Sequence, residues 1–277
     1  MILRPHSTRI GLALGGGAML GAAHVGVLKA LEEIELQVSA VAGTSIGALV
    51  SALYAFNVPA KDIEAVALRM EWGDVGALKF SKMGLFSNSK LGELVVGAIG
   101  DVNIEDAPKP LAIMATDLAS GSAVILRKGS VAQAVMASAC VPGVFVPVTI
   151  GEHVLVDGGL VENVPVSALN RAHYDCLMAV DLSTHRHYSP PEDVFDVMTN
   201  AIDIAIDNHT RGQLKQAHCL IQPDLTTVSR VRADAKDIQG MIDTGYKTAV
   251  ATLKARTGWR GIWNGIRRRV TGKADMS

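Results

Sequence analysis

The sequence predicts an α/β domain with a mainly parallel central sheet covered by helices. Strand-like and helix-like segments alternate along its whole length, as they do where strands are joined by helical crossovers. With 277 residues, 49% of them hydrophobic, the chain can bury a large core, most simply as one domain. No internal repeat, low-complexity tract or linker divides it. We therefore expect one domain over residues 8–253 and a basic, tryptophan-containing tail over 254–277.

The first strand is expected at residues 10–14 and the first helix over 19–35. A short buried strand at 38–42 precedes a tightly packed helix that includes residues 48–54, and a further helix is expected over 61–70. Residues 72–92 are rich in Gly, Ser and Lys and read as a surface loop or cap over a site. Strands resume at 110–116 and 123–127, a helix follows over 130–139, and a strand at 153–156 ends on Asp157. A strand at 176–180, a helix over 192–216, a final strand at 219–222 and a closing helix over 235–253 complete the order.

Between the 38–42 strand and its helix stands Gly43-Thr44-Ser45-Ile46-Gly47. A G-x-S-x-G at a strand-to-helix turn is the nucleophile elbow, in which the serine projects its Oγ from a sharp turn. Gly43 and Gly47 omit the Cβ atoms that would collide where strand and helix close on each other. The helix N-terminus turns free N–H groups and the positive dipole end toward the reacting centre. A serine that merely caps the helix fits the same five residues.

Gly15-Gly16-Gly17-Ala18 lies between the first strand and the first helix. Its crowded backbone N–H groups suit an oxyanion. A dinucleotide fingerprint starting at Gly15 requires glycine where Leu20 stands, and one starting at Gly16 requires glycine at Ala18. A P-loop requires lysine at Ala22, so both nucleotide readings fail. Asp157-Gly158-Gly159 sits at a strand end, where a carboxylate can act as general base or simply cap the turn. Residues 136–147, Met-Ala-Ser-Ala-Cys-Val-Pro-Gly-Val-Phe-Val-Pro, run from a helix into a turn, and Phe145 is a candidate wall for an acyl site.

Together these segments resemble the patatin-like phospholipase family, in its compact bacterial branch. The blocks are Gly11-Leu12-Ala13-Leu14-Gly15-Gly16-Gly17, the Ser45 elbow, Ala115-Thr116-Asp117-Leu118 with Ala137-Ser138 and Val141-Pro142-Gly143-Val144-Phe145, and 156–165, which reads Val-Asp-Gly-Gly-Leu-Val-Glu-Asn-Val-Pro. The resemblance implies a three-layer α/β/α fold and a lipid acyl hydrolase without cofactor. It implies a Ser45–Asp157 dyad, with the N–H groups of Gly16, Gly17 and Ala18 holding the oxyanion. Family members usually carry glycine at Ala18 and arginine or lysine at Leu20. Loss of that cation weakens stabilisation of an oxyanion or phosphate and bears on rate and headgroup preference.

Two rival readings follow. An ordinary α/β-hydrolase would use a Ser-Asp-His triad, and His173, His185, His187, His209 and His218 all follow Asp157. None lies in a compact motif, and we read them as surface or structural residues. His24, inside the first helix, reads as a packing residue. The second rival is a patatin-fold binder of lipid or protein without efficient catalysis, suggested by Leu20.

The formal net charge of −1 gives nucleic-acid binding no support. Cys140, Cys176 and Cys219 are widely spaced in apolar surroundings, as buried thiols of a reducing compartment are. The N-terminus carries no secretory leader pattern, and no run of about 18 apolar residues exists, so a cytoplasmic location is expected. Residues 254–273 hold seven basic residues and no acidic ones. Trp259, Ile262, Trp263, Ile266 and Val270 share one helical face there. That pattern suits either an anionic membrane surface or a helix docked on the domain.

Overall fold

The computed structural model describes residues 9–69, 77–81, 84–183, 188, 190–228 and 233–255. The tail from residue 256 onward, and with it the expected amphipathic helix, lies outside the described residues, as do His185 and His187.

Hydrogen-bonded neighbours in the main sheet trace β10-β9-β1-β2-β5-β8-β7, with β6 also paired to β5 off that path. Its parallel part comprises β1 (Ile10–Leu14), β2 (Ala40–Thr44), β5 (Leu111–Asp117), β9 (Cys176–Val180) and β10 (Cys219–Ile221). Antiparallel strands β6 (Ala123–Leu126), β7 (Val148–Ile150) and β8 (His153–Asp157) extend the β5 side. The architecture is the mainly parallel α/β fold the sequence predicts.

Strand alternation divides the core. Ile10, Leu12 and Leu14 of β1, Val41 of β2, Ile113 of β5 and Met178 of β9 face one layer. That layer is formed by α1 (Ala22–Glu33), α2 (Ile46–Ala55), α3 (Ala60–Arg69) and the closing helix α8 (Ala235–Ala255). Ala13, Ala40, Ala42, Ala112 and Ala179 face the other side, packed by Val164, Val166 and Leu169. Leu177 of β9 and Met114 of β5 are the large strand residues on that alanine-rich face. Buried on both faces, these strands read as apolar runs rather than as polar–apolar alternation.

α1 and α8 cross in near backbone contact. A Cβ on Gly26 would stand 1.9 Å from Ile242 O, and one on Gly245 2.0 Å from Ala23 O. No described helix is long and apolar enough to cross a membrane.

Three local expectations need correction. The first helix begins as a one-turn 3-10 helix, Ala18–Gly21, before α1. Strand β2 continues through Gly43 and Thr44 rather than stopping at Ala42. The segment read as irregular contains the hairpin β3 (Ala77–Ser81) and β4 (Gly84–Ser87), followed by α4 (Ser89–Ile99). Helix α5 (Val131–Ser138), the short α6 (Gly159–Glu162) and α7 (Val194–Gln213) complete the described α-helices.

Candidate active site

Ser45 is the single residue between β2 and α2, with its backbone at φ 55°, ψ −124°. Such a conformation in a residue with a Cβ costs on the order of 1–3 kcal/mol and persists only where the surroundings enforce it. A Cβ on Gly43 would lie 2.2 Å from Gly47 O, and one on Gly47 would lie 2.2 Å from Leu14 O. The two glycines thus let β2, α2 and β1 close around the turn. The Ser45 N–H donates to Ser138 Oγ at 2.8 Å, and that hydroxyl donates to Met114 O at 2.6 Å. Ser45 occupies the N-cap position of α2, yet its side chain makes no capping hydrogen bond. The helix-capping reading therefore fails, and Ser45 stands half-buried on a strained elbow.

Sheet topology brings Asp157 to the same place. Ile113 and Met114 of β5 pair with β2 on one side and with β6 on the other. Ala115 and Thr116 pair with β6 and with β8. β8 therefore occupies the lane of β2, running the opposite way. Thr44 faces Met114 and Asp157 faces Ala115, so the two strands end head to head beside consecutive residues of β5. Asp157 is 8% exposed. Its main chain is held by Thr116 Oγ1 donating to its carbonyl at 2.8 Å and by its own N–H donating to Cys140 O at 2.8 Å. Its Oδ1 accepts the Gly159 N–H at 2.7 Å, so one carboxylate oxygen does cap the turn. Gly158 is required beside β5, because a Cβ there would come within 2.3 Å of Met114 O.

The glycine turn after β1 differs from expectation in one donor. Gly15 N–H donates to Val180 O and Gly16 N–H to Asn163 O, both at 3.0 Å. The Gly16 N–H is consumed by a backbone bond and is not available to an oxyanion. Gly17 and Ala18 make no such bond among the described residues. Gly16 instead supplies room: a Cβ on it would lie 2.6 Å from Asn163 Oδ1 and 3.2 Å from Ser45 Cβ. Ala18 adopts φ 54°, a left-handed conformation that explains why glycine suits this position. Leu20 is 3% exposed and belongs to the apolar core, so no charge replaces the family's cation there.

His24 supports this turn from below. Its Nε2–H donates to Gly15 O at 2.7 Å, while buried Nδ1 has no partner among the described residues. Burial pushes its pKa down to about 4, against a weaker upward influence of the Gly15 bond. The imidazole is neutral and structural. His173 and His218 precede β9 and β10, and the parallel register puts those strand starts at the sheet edge opposite Ser45. His209 is exposed on α7, and His153 contacts Asp117 at 3.3 Å. Asp117 itself is held below the usual carboxylate range, chiefly by the Ala119 N–H and then by Ser120 and His153.

Two residues of the site carried no role in the sequence reading. Ser138 anchors the elbow N–H, and Asn163 is 5% exposed, with its Oδ1 between Gly16 and Gly159. A Cβ on Gly159 would lie 3.0 Å from Asp157 Oδ1 and 3.3 Å from Asn163 Oδ1. The Asn163 Nδ2 is buried without a partner among the described residues. Both residues stand within the blocks that carry the family resemblance, as polar residues set among apolar ones. Phe145 is 3% exposed and packs within the main hydrophobic core. All three cysteines are free and buried. Burial, with the nearby Asp157 charge, pushes the Cys140 thiol up to about 12.

The patatin-like phospholipase family model matches residues 12–170, which include both Ser45 and Asp157. The chain belongs to the patatin-like phospholipase family. Among its relatives, the uncharacterized NTE family protein Rv2565 of Mycobacterium tuberculosis is 28% identical over 276 residues, spanning 89% of this chain and 47% of that protein. The neuropathy target esterase sws of Drosophila melanogaster is 32% identical over 186 residues, spanning 63% of this chain and 13% of that protein. This patatin-like chain thus spans about half the length of the first of these relatives and far less of the second. Among solved structures, VipD from Legionella pneumophila superposes with a TM-score of 0.61 at 15% identity, over 91% of this chain and 67% of VipD. That likeness is one of fold.

Proposed function

We propose that this protein is a serine acyl hydrolase that cleaves carboxyl esters of lipids through an acyl-enzyme. The observation that carries the reading is the head-to-head meeting of β2 and β8, which sets an uncapped, strained Ser45 beside the carboxylate-bearing end of β8. Ser45 Oγ attacks the ester carbonyl carbon as its proton passes to the Asp157 carboxylate. The tetrahedral oxyanion is held by the N–H groups of Gly17 and Ala18 at the start of the 3-10 turn. Collapse expels the alcohol, which takes the proton back from Asp157. Water then gives a proton to Asp157 as it attacks the acyl carbon, and the second tetrahedral intermediate collapses by breaking the bond to Ser45 Oγ, which takes that proton back from Asp157 as the fatty acid is released. The dyad is favoured over a triad because every described histidine is buried and neutral, exposed, at the opposite sheet edge or engaged with Asp117.

A lipid surface is the natural source of substrate. Val194, Val197, Met198 and Ile204 of α7 are exposed apolar residues. On the same helix, Ile206 Cδ1 lies 3.4 Å from where a Cβ on Gly159 would stand. Residues 254–273 add a basic, tryptophan-bearing contact with anionic lipid at the cytoplasmic face of a membrane. Burial of Leu20 at the family's cationic position favours slow turnover, and in its extreme form the lipid- or protein-binding reading.

Hydrolysis of a phospholipid and of simple nitrophenyl esters by the purified chain tests the proposal. Ser45→Ala and Asp157→Ala are each expected to abolish nearly all turnover, since such groups act as a unit. Retained activity in Ser45→Ala overturns the assignment, and an equally severe loss on exchange of one histidine favours the triad.

A further inference from the structure

The short helix α6 begins two residues after Asp157 and is tied at its end to three other parts of the molecule. The last carbonyls of a helix have no partner within it, and here three consecutive ones are taken up by three different elements. Val161 O accepts from Gln213 Nε2 of α7 at 2.7 Å. Glu162 O accepts from the Thr44 hydroxyl of β2 at 3.0 Å. Asn163 O accepts the Gly16 N–H of the glycine turn at 3.0 Å. This end of the helix is itself braced, because the buried Glu162 carboxylate accepts the Ser167 N–H at 2.9 Å and the Ser167 hydroxyl. At the opposite end the Gly159 N–H donates to Asp157 Oδ1. Thr44 reaches α6 through strand parity. Successive side chains of β2 alternate between faces, so Thr44 falls on the side of Ala40 and Ala42, where Val161 and Val164 pack. Thr44 is 0% exposed, so its hydroxyl acts on the site through Glu162 O and not through substrate.

We infer that Thr44 is a positioning residue for the dyad, its hydroxyl fixing the elbow against the helix that holds Asp157. The inference rests on the acyl-hydrolase reading above. β2 and β8 are each paired to β5, and the head-to-head ends need a tie between them. α6 supplies it as a strut: its first residue holds the Asp157 carboxylate, and its last residue holds the strand that leads into Ser45. Four residues at a rise of about 1.5 Å make that strut only about 6 Å long, so it has little play while both ends stay bonded. The Gly16 bond brings the oxyanion turn into the same frame. Nucleophile, base and oxyanion donors are thereby referred to one short element, and the Thr44 hydroxyl is the side-chain group that attaches the nucleophile to it.

The test is the steady-state kinetics of a nitrophenyl ester, measured well below each variant's melting temperature. Thr44→Val keeps the side-chain shape and removes the donor, whereas Thr44→Ser keeps the donor. A reacting group displaced by about 1 Å loses on the order of 100-fold in rate, so Thr44→Val is expected to lower kcat by roughly 10- to 100-fold. KM should change little, because the lost contribution belongs to the transition state. Thr44→Ser is expected to recover most of the loss. Gln213→Met removes a bond of the same kind from the same helix, toward α7, and is expected to leave kcat near the wild-type value. Unchanged kcat in folded Thr44→Val, or a loss that Thr44→Ser fails to recover, overturns the positioning role while leaving the acyl-hydrolase reading intact. An equal loss in Gln213→Met also overturns it, because the effect would then be a general loosening of α6. Should Thr44→Val fail to fold, Thr44→Cys is compared with Thr44→Ser, since a thiol is the weaker donor. A lower kcat in the cysteine variant supports the role, and equal values overturn it. A wild type that hydrolyses no ester defeats the acyl-hydrolase reading and this inference with it.

Discussion

His24→Gln should flatten the dependence of stability on pH. The unperturbed imidazole titrates at 6.5, and burial lowers it to about 4 in the folded protein. Between these values the unfolded chain binds a proton that the native state refuses, so stability is present above pH 6.5 and is lost as the pH falls. The full displacement corresponds to about 3 kcal/mol, of which about 2 kcal/mol falls between pH 7.5 and pH 5.0. The cost has a structural source: protonated Nδ1 would be a buried cationic donor without a partner, directly behind the Gly15 carbonyl. Urea unfolding at the two pH values, in wild type and His24→Gln, measures it. The wild type is expected to lose about 2 kcal/mol more than the variant over this interval. Equal losses would refute the reasoning, because His24 would then be titrating normally in the native state.

Three further substitutions probe the elbow and its support. Ala18→Gly relieves a left-handed φ of 54° and should stabilise the fold by about 1 kcal/mol in thermal or urea melts; destabilisation would contradict the strain. Gly47→Ala drives a Cβ to 2.2 Å from the Leu14 carbonyl and should cost more than about 4 kcal/mol or prevent folding, whereas a normal melt would mean that the turn has room to spare. Ser138→Ala leaves the Ser45 N–H and the Met114 carbonyl without the hydroxyl between them. It should cost about 1–3 kcal/mol and lower kcat more than it changes KM, while unaltered kcat would remove Ser138 from the elbow's support.

The legible part of this chain is its local chemistry. Gly43 and Gly47 announced a close approach before the contact partners were known, because a missing Cβ is visible in sequence. Asp157 was legible as a carboxylate ending a strand. The pairing of Ser45 with Asp157 came only from the family resemblance and not from local pattern, since it depends on β8 returning antiparallel into the lane that β2 vacates. Pairings separated by more than a hundred residues leave no trace in local periodicity. The glycine turn could be recognised as a cluster of donors, but which of them are already paired is a tertiary fact, and Asn163 claims the one on Gly16. The hairpin at β3 and β4 was masked by composition: Lys79, Ser81 and Gly84 lie within its two strands. Phe145 was legible only as a large aromatic beside a Pro-Gly turn, and its burial in the core is a tertiary fact.

Reaction of the folded protein with a fluorophosphonate probe, read by intact mass and peptide mapping, tests the central claim most directly. An activated Ser45 gives a single stoichiometric adduct, absent from Ser45→Ala and formed at least roughly 100-fold more slowly in Asp157→Asn, the usual scale for loss of a general base. A folded wild-type protein that takes no label, or takes it at another residue, would contradict an activated nucleophile at the elbow and leave a patatin-fold binder in its place.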